Sequence, residues 1–117
     1  MEFRDRTKAF AAGAVRLFAK LPRQREEVAV IGKQLLRSGT SVAAHVREAS
    51  RARSTNEFTS KIGGATQEAD ESTLWLELLR EECGISSILT KPLENEASEL
   101  IAIFVAMINK TKGRAES

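Results

Sequence analysis

Tyrosine is absent from this sequence, and cysteine, proline and aromatic residues are scarce. Cys83 is the single cysteine, so no disulfide bond can form within the chain, which agrees with a reducing, cytoplasmic setting. Two prolines, five phenylalanines and one tryptophan accompany many Ala, Leu, Glu, Lys and Arg residues. This composition favours helices over sheets, and we expect an all-α protein.

Long hydrophobic runs are also missing. The longest, Leu100–Ile108, has nine residues, far fewer than the roughly 20 that span a bilayer. Residues 2–6 mix acidic and basic side chains and lack the apolar segment of a signal peptide. The sequence therefore predicts a cytoplasmic protein without a membrane segment.

Apolar residues recur at steps of three and four along most of the chain, the period of an amphipathic helix. The pattern predicts four helices at about residues 4–20, 23–53, 55–82 and 91–112. Pro22 is expected to open the second helix, Ser54 to cap the third and Gly84 to end it. Because the connections are short, consecutive helices should be antiparallel neighbours. We expect a single domain over residues 1–117, an antiparallel up-down-up-down four-helix bundle.

The net charge of +2 conceals an asymmetry along the chain. Residues 1–61 hold 13 Lys and Arg against 6 Asp and Glu, whereas residues 62–117 hold 5 against 10. The basic half could attract a polyanion such as nucleic acid. Alternatively, it packs against the acidic half, either within one chain or between copies.

Polar stripes flank the apolar faces of the second and third helices. Charged groups at such margins are half-buried and need partners, because an unpaired buried charge is costly. We therefore expect Arg37 to pair with Glu68 or Glu71, with Ser41 and His45 completing the hydrogen bonds. The predicted inter-helix polar network consists of Arg37, Ser41, His45, Glu48, Glu68 and Glu71.

A metal-dependent enzyme is the weakest of three functional hypotheses. His45, Glu48, Glu68 and Glu71 could bind a metal, but the chain has one histidine and its motif order differs from that of di-iron bundles. Cys83 follows two glutamates at a helix C-terminus, which disfavours its thiolate. No phosphate loop, nucleophile elbow or dinucleotide fingerprint is present. We predict no enzyme activity, no cofactor and no metal.

Two residue groups suggest binding surfaces. Ile103 and Val105 lie off the apolar stripe of the fourth helix, and we expect both at a subunit interface. Trp75 flanks the apolar stripe of the third helix and is either an ordinary core residue or an anchor at that interface. Arg47, Arg51 and Arg53 could contact phosphates. No aromatic residues alternate with these arginines, so base stacking is not expected.

Residues 37–49, RSGTSVAAHVREA, resemble a known family. The match continues through Ser54, Glu57, Phe58, Lys61, Glu68, Ala69, Glu71, Ser72 and the run WLELL at residues 75–79. The chain is similar here to the four-helix bundle proteins of the 23S ribosomal RNA intervening-sequence type. Where that family usually has Asn, this chain has His45.

The resemblance implies a ring of identical bundles, typically a homopentamer. Some relatives are encoded within intervening sequences of ribosomal RNA genes. A similar bundle is the accessory protein of diversity-generating retroelements, a basic ring that binds nucleic acid and a reverse transcriptase. Our leading hypothesis is a non-enzymatic, ring-forming scaffold or adaptor whose partner is itself. The alternative is a nucleic-acid-binding accessory protein, RNA or DNA, working with a reverse transcriptase.

Overall fold

The computed structural model describes residues 2–116, and it describes side chains for residues 2–113. Four consecutive helices make up most of this range. The helices are α1 (Phe3–Lys20), α2 (Glu26–Ser50), α3 (Thr55–Glu81) and α4 (Ser87–Glu116). Each packs against its neighbour in the chain, and α4 returns to α1; in the described range α1 does not contact α3, nor α2 contact α4. The up-down-up-down bundle is confirmed. None of these helices is both long and apolar enough to cross a membrane.

The predicted apolar stripes converge on one long core. Its lower half, near the α2–α3 connection, centres on Phe10 and Phe104, and Phe3 adds an edge-to-face contact to Phe104 with ring centroids 5.2 Å apart. Its upper half, near the other two connections, is aliphatic, with Leu35 and Leu76 completely buried. Helix periodicity therefore identified the residues that hold the bundle together.

Local capping bonds set the ends of α3. The Ser54 hydroxyl accepts a hydrogen bond from the amide of Glu57 at 3.0 Å, and the Glu57 carboxylate accepts one from the amide of Arg53 at 3.2 Å. At the other end Gly84 has a positive φ of 73°, a conformation in which a side chain would be strained. Both predicted signals act as expected.

The predicted bounds of α2 were too wide. The amide of Arg25 bonds to the carbonyl of Pro22 at 3.1 Å, which closes a separate turn. Arg25 is then extended, so α2 begins at Glu26 rather than near residue 23. At its other end α2 stops at Ser50, because the chain uses residues 51–54 to reverse direction.

The predicted start of α4, near residue 91, was also wrong. Ser86 starts this helix: its hydroxyl accepts from the amide of Ile88 at 3.2 Å, and its carbonyl accepts from the amide of Leu89 at 3.0 Å. Pro92 therefore lies inside the helix. A proline there removes one backbone hydrogen bond but leaves its fixed φ compatible with the helix.

Close contact between α1 and α2 depends on a missing side chain. A Cβ atom at Gly39 would lie 2.8 Å from the Cβ of Ala14, closer than two carbons can pack. Gly39 therefore allows the backbones of α1 and α2 to approach closely. A Cβ at Gly63, in contrast, meets no described atom within 4 Å.

We predict opposite effects for alanine at these two glycines. Gly39→Ala should lower the free energy of unfolding by about 1 kcal/mol, since overpacking of about 1–3 kcal/mol outweighs the gain in helix propensity. Gly63→Ala should raise it by about 0.5–1 kcal/mol, because only the propensity gain applies. Urea unfolding measures the change in the free energy of unfolding for both variants. If the two changes had the same sign, this would contradict the close approach of α1 and α2.

Candidate functional site

Arg37 lies where α2 meets α3 and binds two carboxylates of α3. Its guanidinium is 3.2 Å from Glu68 and 3.3 Å from Glu71. The Arg37 side chain is 51% exposed and that of Glu68 only 15% exposed. The guanidinium therefore covers the buried carboxylate while keeping its own contact with water.

His45 and Glu48 form a second cluster, two to three turns further along α2. The His45 ring lies on Gly64, where a Cβ would be 3.0 Å from the ring carbon Cε1. Its Nδ1 is 3.8 Å from Glu48, and Glu48 is 3.0 Å from Lys61 of α3. The ammonium of Lys61 lowers the pKa of the Glu48 carboxyl. The structure thus divides five of the six predicted network residues into two separate clusters, leaves Ser41 outside both and adds Lys61.

The predicted hydrogen-bonding role of Ser41 and His45 was wrong. Within residues 2–113 Ser41 makes no side-chain hydrogen bond, and the Nδ1 of His45 is buried without one. Ser41 is half-buried, and Arg37 reaches the carboxylates of α3 without it.

Ser38 and Ser72 form the serine contact that sequence reasoning missed. Both side chains are completely buried, and their hydroxyl oxygens are 2.8 Å apart. Each hydroxyl also lies within hydrogen-bond distance of a carbonyl oxygen of its own helix, Leu35 at 3.3 Å for Ser38 and Glu68 at 2.9 Å for Ser72, so either serine can donate to the other. A signal was available, since each serine occupies a position of its helix's apolar stripe.

Two further ion pairs join α4 to its neighbours, and the sequence did not reveal either. Arg80 of α3 holds Glu94 with two bonds of 3.0 Å, and Glu94 is only 8% exposed. Arg6 of α1 holds Glu96 with two bonds of 2.8 Å and also contacts Glu99. These guanidinium bonds lower the pKa of Glu94 and of Glu96 despite their partial burial.

The three residues predicted for a subunit interface do not form one patch. Trp75 is half-buried on the side of α3 that faces α2, where it packs against the upper core. Ile103 is half-buried on α4, and Val105 is 44% exposed. Two residues apart on a helix means about 200° of rotation, so Ile103 and Val105 lie on different sides of α4.

The three arginines predicted for phosphate contact are all exposed at the lower end of the bundle. Within the described side chains Arg47, Arg51 and Arg53 form no ion pair. Arg4 of α1 and Ser50 of α2 line one shallow cavity there, which brings a fourth cation close to this end of α2.

Residues suited to chemistry are not gathered at one place in residues 2–113. No three His, Cys, Asp or Glu side chains of that range are arranged to hold a metal ion. Cys83 is buried, and its carbonyl accepts a 2.9 Å bond from Arg25, which ties the α3–α4 connection to the start of α2. The backbone of Cys83 therefore helps to hold the α3–α4 connection in place.

Comparison with known proteins decides the family. The family model described as 23S rRNA-intervening sequence protein matches residues 1–106. The chain belongs to this family. A comparison with curated proteins finds no match.

A solved structure shares this fold and much of the sequence. It is a crystal structure of a protein with unknown function from the S23 ribosomal protein family of Bacteroides thetaiotaomicron VPI-5482. The identity is 35%, with a TM-score of 0.80, over 90% of this chain and 96% of that chain. This intervening-sequence family member therefore spans nearly the whole length of its relative.

We predict that acid destabilises this protein partly through Glu94. A carboxyl whose pKa is lowered by folding stabilises the native state above its unfolded pKa of about 4.3, and this stabilisation is lost as the pH falls through the folded pKa. Glu94→Gln should lower stability at neutral pH and flatten the fall below about pH 4.5.

Urea unfolding between about pH 3 and pH 7, at one protein concentration, measures this effect. Glu82→Gln is the matched control, because Glu82 is exposed and forms no ion pair in the described residues. An unchanged pH slope in the Glu94 variant would show that Arg80 does not stabilise the charged carboxylate.

Proposed function

We propose that this chain is a non-enzymatic subunit of a ring-forming homo-oligomer that acts as a scaffold or adaptor. The observation that supports it is the distribution of charge between two helices. α1 carries five Lys and Arg residues against one Asp, whereas α3 carries six Asp and Glu residues against two Lys and Arg. α2 and α4 carry equal numbers of each sign.

The basic helix α1 and the acidic helix α3 lie on different sides of the bundle. α1 and α3 occupy diagonal corners of the bundle, since they do not touch within the described range. The molecule therefore has a basic side and an acidic side that cannot neutralise each other. Head-to-tail contact between copies brings the two signs together, and such heterologous contacts close into rings when their rotation allows.

The family adds support of a different kind. Resemblance to intervening-sequence proteins implies a ring, typically a homopentamer. The most buried carboxylate, that of Glu94, is paired with Arg80. A scaffold or adaptor needs stable surfaces and no reacting groups, and we place this protein in that class.

We predict an assembly that sedimentation and light scattering detect. The chain has a mass of 12.9 kDa, and we expect a discrete species of several times that mass, five times for a pentamer. Raising the salt concentration should weaken it, because screening reduces attraction between exposed charges. A monomer that persists from micromolar to the highest soluble concentration would contradict the proposal.

Nucleic-acid binding is the second candidate, and the exposed arginines favour it. The side chains of Arg47, Arg51 and Arg53 form no ion pair in the described residues, and Arg4 lines a cavity at the same end of the bundle. Phosphates attract such a group without base recognition, so binding would be independent of sequence and sensitive to salt. The protein would then be an accessory factor for RNA or DNA, with a reverse transcriptase as a further partner.

We predict that Arg47→Glu weakens binding to a nonspecific RNA or DNA duplex, if the chain binds either. The slope of log affinity against log salt should also become shallower by about 1. Lys33→Glu is the matched control, since it reverses one exposed charge on the same helix, several turns away. Fluorescence anisotropy over a salt series measures the affinity of both variants for the duplex. If the two variants lose the same affinity, the effect is one of net charge alone.

A further inference from the structure

An open groove lies between the end of α1 and the start of α4, and it is called the α1–α4 groove here. Its floor is formed by Leu17, Leu89 and Leu93, and its cavity has a volume of about 250 Å³. Gly13 lets Leu93 lie directly on the α1 backbone, where a Cβ would be 2.7 Å from that side chain. The groove therefore has an apolar base in which Leu89 and Leu93 are only partly covered by the bundle.

The edges of this groove carry two unpaired cations and an isoleucine. Arg16 and Lys20 are exposed, lie one turn apart on α1 and form no ion pair in residues 2–113. Ile88 on the α4 edge is 82% exposed, the highest value among the large apolar residues of the described range. These features fit an apolar side chain flanked by carboxylates.

The outer side of α3 presents that pattern. Asp70, Leu74, Glu77 and Glu81, called the α3 ridge here, are spaced by four, three and four residues and so share one side of the helix. Leu74 is 46% exposed, and all three acids are exposed. The only ion pair among them in the described residues is the 3.4 Å contact of Glu81 with Arg80.

We propose that the α3 ridge of one copy binds in the α1–α4 groove of the next copy. Leu74 covers the groove floor beside Ile88, while Glu77 and Glu81 neutralise Arg16 and Lys20. The two cations of the groove lie on α1, which does not contact α3 within the described range, so the ridge meets the groove of another molecule. This inference rests on the proposed assembly and specifies its contact surface.

The charge and the length of the α3 ridge both suit it to bind in this groove. The groove needs an acidic partner, and α3 supplies the largest excess of acid in the chain. The ridge spans 12 residues, with about 16 Å of helix between its first and last, which is enough to cover both cations. Because groove and ridge are different surfaces, each copy offers one of each, and the contact repeats from copy to copy.

Charge reversal tests the pairing. The groove variant carries Arg16→Glu with Lys20→Glu, the ridge variant carries Glu77→Lys with Glu81→Lys, and a third variant carries all four changes. We expect each double variant to raise the dissociation constant of the assembly at least about tenfold, and the fourfold variant to restore it within a few-fold. Sedimentation velocity at low salt measures the constants, and circular dichroism checks folding.

Matched controls separate this contact from general charge effects. Arg4→Glu with Lys8→Glu reverses two cations of α1 outside the groove and should leave assembly within a few-fold of the unmodified chain. Ile88→Asp should weaken assembly, whereas Val30→Asp, at a 55% exposed position of α2, should not. Neither aspartate disturbs the core, since both positions are exposed.

Each outcome has a distinct meaning. A monomeric unmodified chain overturns the assembly itself. An assembly that both double variants leave intact upholds the oligomer and overturns this contact surface. Double variants that dissociate without rescue by the fourfold variant show that groove and ridge meet other surfaces, which also overturns the pairing.

Discussion

The buried hydroxyl pair of Ser38 and Ser72 holds α2 and α3 in one register. Both side chains are completely buried, so a shift of either helix by one turn would break the contact between the hydroxyls and leave each with only the carbonyl oxygen of its own helix, that of Leu35 or Glu68. A hydrogen bond of this kind contributes about 0.5–1.5 kcal/mol to stability. The apolar stripes on either side permit several alignments, and this polar contact selects one of them.

The outer charges depend on that register. With Ser38 opposite Ser72, Arg37 lies between Glu68 and Glu71, and the guanidinium contacts both carboxylates. Individually such half-exposed pairs contribute little, about 0–1 kcal/mol. Their larger effect is on the surface, because they neutralise the seam between α2 and α3 and leave the unpaired charges of α1 and of the α3 ridge to define the basic and acidic sides.

Sequence patterns predicted elements better than they predicted partners. The apolar stripes, the Ser54 cap and the Gly84 terminator act over one or two turns, so each is visible locally. The starts of α2 and α4 were wrong because Pro22 opened a separate turn and Ser86 started a helix that accommodates Pro92. In both cases a local hydrogen bond at Pro22 or Ser86 set the helix start, and the sequence alone did not distinguish this start from the predicted one near residue 23 or 91.

Contacts between distant residues were harder to predict for a physical reason. Arg6 and Glu96 are 90 residues apart, and Arg80 has four glutamates within a few turns, so spacing alone does not choose a partner. The same limit applied to Ser41, whose position beside Arg37 in sequence did not make it part of the ion-pair cluster.

The amino-acid sequence by itself determined that the chain is helical, which residues form its core and which family it resembles, because these follow from periodicity and residue identity. Only the tertiary structure decided which charges neutralise each other and which remain free. That choice depends on how close two helices approach and on their register, quantities that glycines, alanines and two buried serines set together across the whole bundle. The open groove beside Ile88 and the acid-lined Leu74 are consequences of that packing.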